Sequence, residues 1–159
     1  MRVRVGFGFD VHRLSEGRPC ILGGVTIPHI TGPDGHSDAD VLIHAICDAL
    51  LGAAGLRDIG FHFPDTDASF KNADSCILLS RVKDLVSEKG YNIGNIDCSL
   101  VLEAPKINPH IEAMKSRLSD VLGIPVEDIG IKATTNEKLG FIGRGEGVTA
   151  YAVALLEKV

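Results

Sequence analysis

Asp10 and His12 stand two residues apart in a stretch of alternating apolar and polar residues. Period-two spacing sends both side chains off one side of a strand, opposite Phe9 and Val11, where they can grip a single ion. Asp40, His44 and Asp48 recur every four residues along a helical pattern and form a ridge opposite its apolar arc. If that ridge crosses the end of the strand, His44 joins Asp10 and His12. One carboxylate and two imidazoles make a zinc-type set with an open fourth position, as used to hold a substrate oxygen. The same residues also have an ordinary reading, in which Asp-x-His closes a strand and His44 lies on a solvated helix face.

Other stretches carry donors suited to anions. Gly35-His36-Ser37-Asp38 places Ser37 or Asp38 at a helix N-cap, where free backbone N–H groups favour an anion that His36 can also contact. Lys132-Ala133-Thr134-Thr135-Asn136-Glu137-Lys138 combines cations, hydroxyls and one carboxylate, and Gly140, Gly143, Gly145 and Gly147 follow around Arg144. Hydroxyls, N–H groups and cations are what a diphosphate needs, and Glu137 can hold a hard Mg²⁺ ion on the phosphates. Gly-rich turns also simply bend chains. Glu103-Ala104-Pro105-Lys106 either presents backbone groups to a ring or is an ordinary strand-to-helix connection. Asp58, Asp65 and Asp67, near Gly60, either recognise polyol hydroxyls or are solvated turn acids.

These residues need elements to position them. Val3, Val5, Phe7, Phe9 and Val11 alternate with polar or Gly residues and predict a strand buried on its odd face. Residues Cys20 to Ile27 predict a second strand broken by Gly23 and Gly24, and Pro28 to Asp38 a loop too polar to be buried. Val41, Leu42, Ala45, Ile46, Ala49, Leu50 and Ala53 predict a helix over Ala39 to Gly55. A second helix is expected from Asp74 to Lys89, stopped by Gly90, with Asp58 to Asp67 punctuated by Gly60 and Pro64 between the two. Ile93 to Leu102 reads as a strand, and Asn108-Pro109 as the cap and first turn of a helix ending at Gly123. Asp128 to Thr134 and Gly147 to Lys158 complete the pattern as strands.

The order ββααβαββ, without repeats or linkers, predicts one domain over residues 1–159: an α/β (α+β) sandwich whose four-stranded-type mixed sheet carries helices on one face. The long apolar last strand implies burial on both sides, which a symmetric oligomer supplies economically.

The chain has 159 residues, 45% apolar, enough for one core. A net charge of −5 without a basic run argues against nucleic acid or a membrane surface as partner, and with six Phe, two Tyr and no Trp there is little surface for stacking bases. Cys20, Cys47, Cys76 and Cys98 are widely spaced among apolar residues and read as reduced core thiols. Met1 leads straight into the first strand and no apolar run is long enough to span a bilayer, so the cytoplasm is expected. An organellar protein, plastid-type included, whose transit peptide has been removed reads the same way.

Taken together, His36-Ser37-Asp38-Ala39-Asp40-Val41-Leu42-Ile43-His44, Gly8-Phe9-Asp10-Val11-His12-Arg13, Asp58-Ile59-Gly60, Phe63-Pro64-Asp65-Thr66-Asp67, Ala104-Pro105-Lys106 and Lys132-Ala133-Thr134-Thr135 through Gly147 resemble the 2-C-methyl-D-erythritol 2,4-cyclodiphosphate synthase family from first strand to last. The resemblance implies a homotrimer with active sites between subunits and a zinc-like divalent ion on Asp10, His12 and His44. It implies further that Glu137 helps hold Mg²⁺ or Mn²⁺ on the substrate diphosphate, and that His36 and Thr135 stabilise the transition state. By the same analogy Leu102, Glu103, Ala104, Pro105, Lys106, Ile107 and Asn108, with Thr134, Thr135, Asn136 and Glu137, cradle the cytidine diphosphate. Asp58, Ile59, Gly60, Phe63, Pro64, Asp65, Thr66 and Asp67 bind the methylerythritol part, joined by Asp10, His12, His36 and Ser37, while Phe141 and Arg144 complete the pocket. Arg144 and Glu146 line an axial cavity suited to an isoprenoid diphosphate. Asn136 departs from the hydroxyl residue found in some members.

The implied reaction converts 4-diphosphocytidyl-2-C-methyl-D-erythritol 2-phosphate to the 2,4-cyclodiphosphate and CMP in the non-mevalonate route to isoprenoid precursors. A metal-dependent phosphohydrolase would use the same ligands on water, and a non-catalytic trimeric binder of isoprenoid diphosphates would use the axial cavity alone.

Overall fold

The computed structural model describes residues 2–159, so the reading of Met1 lies outside the described residues. A five-stranded mixed sheet runs in the order β4-β1-β7-β5-β6, where β1 is Val3–Glu16, β4 Thr31–Asp34, β5 Tyr91–Val101, β6 Ile129–Thr134 and β7 Gly147–Lys158. Neighbours are antiparallel except β5 and β6, a parallel pair joined through helix α4, Ile111–Leu122. A separate hairpin pairs β2 (Cys20–Leu22) with β3 (Val25–Ile27). Helix α1, Val41–Ala54, lies against β1 and β7, and α3, Ser75–Glu88, packs against α1 and β5. Two one-turn helices, α2 (Ile59–His62) and α5 (Gly140–Gly143), complete the set.

The expected four-stranded sheet and ββααβαββ order are therefore corrected to five strands plus a hairpin. Gly23 and Gly24, at φ +60° and +73°, turn the chain within two residues, which splits the expected second strand. The expected loop contains β4, and its Gly32 and Pro33 are buried. At Gly32 a Cβ would meet Pro19 O at 2.1 Å, so only glycine lets β4 lie against the preceding segment.

The first strand also reverses its expected faces. Val3, Val5, Phe7, Phe9 and Val11 are exposed on the single chain, whereas Gly6 and Gly8 face α1 and are buried. A Cβ on Gly6 would stand 1.9 Å from Ala49 O, and one on Gly8 1.9 Å from Ala45 O. The missing side chains let helix and sheet approach backbone to backbone, and α1 becomes buried nearly all round. The core gathers Leu42, Ile46, Leu50 and Leu51 of α1 with Leu79, Ile96, Leu100, Met114 and Leu118. Tyr151 and Val153 of β7 extend the exposed apolar face of β1.

Cys20, Cys47, Cys76 and Cys98 are buried and free. Among the described residues, no helix is long and apolar enough to cross a membrane.

Candidate active site

Antiparallel β1 delivers Asp10 and His12 to the helix side of the sheet, and α1 crosses there with His44 on its first turns. Asp40, not Ser37 or Asp38, caps that helix: its Oδ1 accepts from Ile43 N at 3.1 Å. Ala39 adopts φ +57°, which takes the backbone out of helical geometry just before the cap. Asp40 is fully buried, and it also accepts from Gly23 N at 3.0 Å and Gly24 N at 2.7 Å, pinning the hairpin to the helix start. Burial pushes its carboxyl up to about 6, opposed by those N–H donors and reinforced by Asp38.

Asp10, His12 and His44 converge, with one ligand atom from each lying within 4.8 Å of the others. Asp10 Oδ2 is 2.9 Å from His12 Nε2 and 3.2 Å from His44 Nδ1, and the two imidazole nitrogens are 3.3 Å apart. Burial raises the Asp10 carboxyl, but hydrogen bonds and charge from the two imidazoles outweigh it and hold the group at about 2. Burial lowers His12, yet the Asp10 hydrogen bond and charge, aided by the Asp34 carbonyl, raise it overall. His12 Nδ1 lies 3.0 Å from Asp34 O, which can only accept, so Nδ1 donates and Nε2 keeps its lone pair for a ligand bond. Gly35 leaves room for that ring, since a Cβ there would meet His12 Cε1 at 3.0 Å. Two neutral nitrogens and a carboxylate, three donors with room for a fourth, fit a borderline divalent cation.

A cleft of about 270 Å³ opens beside His44, lined by His36, Ser37, Ile59, Gly60, Phe63 and Asp65, together with Phe70 and Leu78. Asp58 caps α2, accepting from Phe61 N at 3.3 Å, while Asp48 accepts from Ile59 N at 2.8 Å and ties that wall to α1. Pro64, Thr66 and Asp67 stand outside this lining, on the turn beyond Phe63, where Asp67 caps a 3₁₀ turn.

A second cleft, about 430 Å³, lies at the C-terminal ends of β5 and β6, lined by Leu102, Glu103, Pro105, Lys106, Ile107, Asn108, Thr134 and Thr135. Leu102 N donates to Thr134 O at 3.1 Å, and the Ala104-Pro105 bond is cis. Asn108 provides no cap; the turn there starts at Ile107 without a side-chain bond. Glu103 Oε1 accepts from Asn136 N at 3.0 Å and Lys138 N at 3.1 Å, so it shapes the loop that carries Glu137. Glu137 stands on that exposed loop and does not join the triad. Phe141 covers Gly147, where a Cβ would meet its ring at 2.9 Å, and exposed Arg144 pairs with Glu146 at 2.8 Å.

The two clefts share no lining residue. Register runs Val11–Thr149–Val101–Thr134 across the sheet, so the strand that carries Asp10 and His12 is two strand spacings from β5 and three from β6, roughly 10 to 14 Å from the ends that border the second cleft. The sequence matches the YgbB family over residues 3–157. The chain belongs to that family. A 2-C-methyl-D-erythritol 2,4-cyclodiphosphate synthase of Cytophaga hutchinsonii is 65% identical over 158 residues, covering 99% of both chains. The structure of an IspF from Plasmodium falciparum in complex with CDP is 35% identical, covers 98% of this chain and 96% of that one, and has a TM-score of 0.86. The bifunctional IspDF of Campylobacter jejuni is 46% identical with a TM-score of 0.96; 99% of this chain is covered, and it spans 43% of that protein.

Residue reasoning missed Ser75, Leu78 and Phe70. Ser75 Oγ lies 3.0 Å from His44 Nε2, yet Ser75 stands at the first position of α3, where serine reads as nothing more than a helix start. Phe70 and Leu78 look like ordinary core residues.

Proposed function

We propose that this chain is a 2-C-methyl-D-erythritol 2,4-cyclodiphosphate synthase, a phosphorus–oxygen lyase of isoprenoid precursor synthesis that forms a cyclic diphosphate and releases CMP. The observation that carries the reading is the convergent Asp10–His12–His44 set beside an open cleft, in a chain 65% identical over its length to a protein of that name. An oxygen of the substrate's 2-phosphate forms a bond to the β-phosphorus. The bond from that phosphorus to the oxygen bridging to the α-phosphate breaks, and CMP leaves with the electron pair. The nucleophile is already anionic and needs no strong base.

Asp10, His12 and His44 would hold a zinc-like divalent cation, which when bound supplies positive charge to phosphate oxygens. His36 and Ser37 orient the 2-phosphate from the helix-side cleft, and Ile59, Gly60, Phe63 and Asp65 enclose the methylerythritol part, with Asp58, Pro64, Thr66 and Asp67 at its rim. Residues Leu102 to Asn108, with Thr134 to Asn136, hold the cytidine diphosphate. Thr135 steadies the transition state, and Glu137 carries the Mg²⁺ or Mn²⁺ of the diphosphate. Phe141 and Arg144 close the pocket. Holding a flexible polyanion with attacking and leaving oxygens in line is the chief task of such a site.

Two clefts that share no lining residue, with two to three strand spacings between the triad's strand and the second, favour a site completed between copies, one giving the triad and the next the nucleotide cleft. The exposed apolar face of β1 and β7 gives a homotrimer its contact, and Arg144 with Glu146 would border its axis, where an isoprenoid diphosphate fits. Four buried free thiols suit the cytoplasm.

The test is release of CMP from 4-diphosphocytidyl-2-C-methyl-D-erythritol 2-phosphate with Mg²⁺, with the product followed by phosphorus NMR. Wild type is expected to yield CMP and a cyclic diphosphate, and His44→Ala to lose the activity. Inorganic phosphate in place of CMP would point instead to a phosphohydrolase.

A further inference from the structure

Ser75 is fully buried although serine is polar, and its hydroxyl stands between two groups that belong to different parts of the chain. On one side Ser75 Oγ donates to Asp38 Oδ1. On the other it lies 3.0 Å from His44 Nε2. Asp38 is itself held as an acceptor throughout: Oδ2 takes Ser75 N at 3.0 Å, and Oδ1 also takes Asp40 N at 3.2 Å. The surrounding backbone is stitched together as well, with Asp38 N donating to Ala73 O at 3.1 Å and Asn72 N to His36 O at 2.8 Å.

A serine hydroxyl has one proton to give. Ser75 gives its proton to Asp38, so only a lone pair is left for His44. The contact between Nε2 and Oγ is then a hydrogen bond only if the imidazole donates it. Ser37 Oγ, 3.3 Å from the same nitrogen, accepts from Ala39 N at 3.1 Å and can share that donor. A neutral ring with its proton on Nε2 has a bare Nδ1, and Nδ1 is the atom that faces Asp10 and His12.

We propose that Asp38 and Ser75 are positioning residues of the metal centre: through the chain Asp38–Ser75–His44 they fix the His44 tautomer and ring orientation that present Nδ1 to the cation. The proposal rests on the reading of Asp10, His12 and His44 as metal ligands. His12 has the simpler arrangement, its Nδ1 fixed by the Asp34 carbonyl, so each imidazole has its own device for aiming one lone pair at the centre. The difference has a structural origin. A backbone carbonyl serves on the strand side, whereas on the helix side α3 brings a hydroxyl whose direction must itself be set by a carboxylate. Removing such an outer partner typically lowers metal affinity about 10- to 100-fold.

Nitrogen-15 NMR of the imidazoles, combined with zinc titration, tests this. In zinc-bound wild type, where the cation takes the Nδ1 lone pair and displaces the contact of that nitrogen with Asp10, His44 is expected to carry its proton on Nε2. Ser75→Ala is expected to shift the ring toward the Nδ1-protonated form, to weaken zinc binding about 10- to 100-fold and to alter the visible spectrum of the cobalt-substituted protein. A protein that only lost helix stability would show the wild-type tautomer. An Nδ1-protonated His44 in the zinc-bound wild type would overturn the proposal with no variant involved, as would a folded Ser75→Ala protein binding zinc with wild-type affinity. If His44→Ala binds zinc as wild type does, the ligand reading fails instead, and the two failures are told apart.

Discussion

Asp10 and His12 stabilise each other in the metal-free chain, and the sign of each shift gives the pH window. His12 is raised above 6.5, so its share of stability is complete below that value and is lost as pH rises through its folded value. Asp10 is lowered to about 2, so its share is complete above 3.8 and is lost as pH falls toward 2. The metal-free pair is therefore most stabilising between the two. A cation needs His12 neutral, so metal and proton compete. Zinc affinity is expected to rise with pH just above 6.5, with release of up to about one proton per chain, read by calorimetry in buffers of different ionisation heat. Binding without proton release there would contradict this. That Asp10 and His12 share one side of a strand was legible from the period of two, but not that this side faces the helix, and their meeting with His44 followed from the family resemblance rather than from spacing. Ser75 was not legible, since helix α1, helix α2 and the turns after it lie between Ser75 and its partners Asp38 and His44, and no local pattern specifies how that stretch returns.

Among the elements, β7 spans Gly147–Lys158 as its apolar run indicates, and α3 lies within a residue of its expected ends. Both have unbroken periodicity and clear stop signals. The first strand misled at the level of face. Alternation shows that two faces differ, yet glycine looks polar by default, whereas here Gly6 and Gly8 are the tightest contacts with α1. Gly8→Ala is expected to cost roughly 2 kcal/mol or more, since overlap with the backbone at Ala45 and Ala49 must push helix and sheet apart. His44 rides on that helix, so zinc affinity should fall with the urea midpoint. A Gly8→Ala protein of unchanged stability would show that the helix does not sit this close. The α1 cap was missed for a related reason: Ser37, Asp38 and Asp40 are all good caps, and the left-handed φ of Ala39, which selects the last of them, cannot be read from alanine.

For the whole molecule, the exposed row Val5, Phe7, Phe9, Tyr151 and Val153 is the largest departure from an ordinary surface. In an isolated chain Phe7→Asp would be nearly neutral, because Phe7 is 63% exposed. In a trimer joined through this face it would bury an uncompensated charge. Sedimentation is expected to show trimers for wild type and mainly monomers for Phe7→Asp; equal sizes would remove this face from the interface. A mixed sheet combined with helices was readable from element order. The fifth strand was not, because Thr31–Asp34 is too short and too rich in Gly and Pro to show a period.

The proposed site joins the triad-bearing cleft of one copy to the nucleotide cleft of the next. It is tested most directly by denaturing and refolding an equal mixture of His44→Ala and Glu137→Ala, each inactive alone, and measuring CMP formation. Random assembly gives sites with both residues intact in about one case in four, so roughly a quarter of the wild-type rate is expected. No activity from well-formed mixed assemblies would mean that each chain must supply both residues to its own site, and would contradict a site shared between copies.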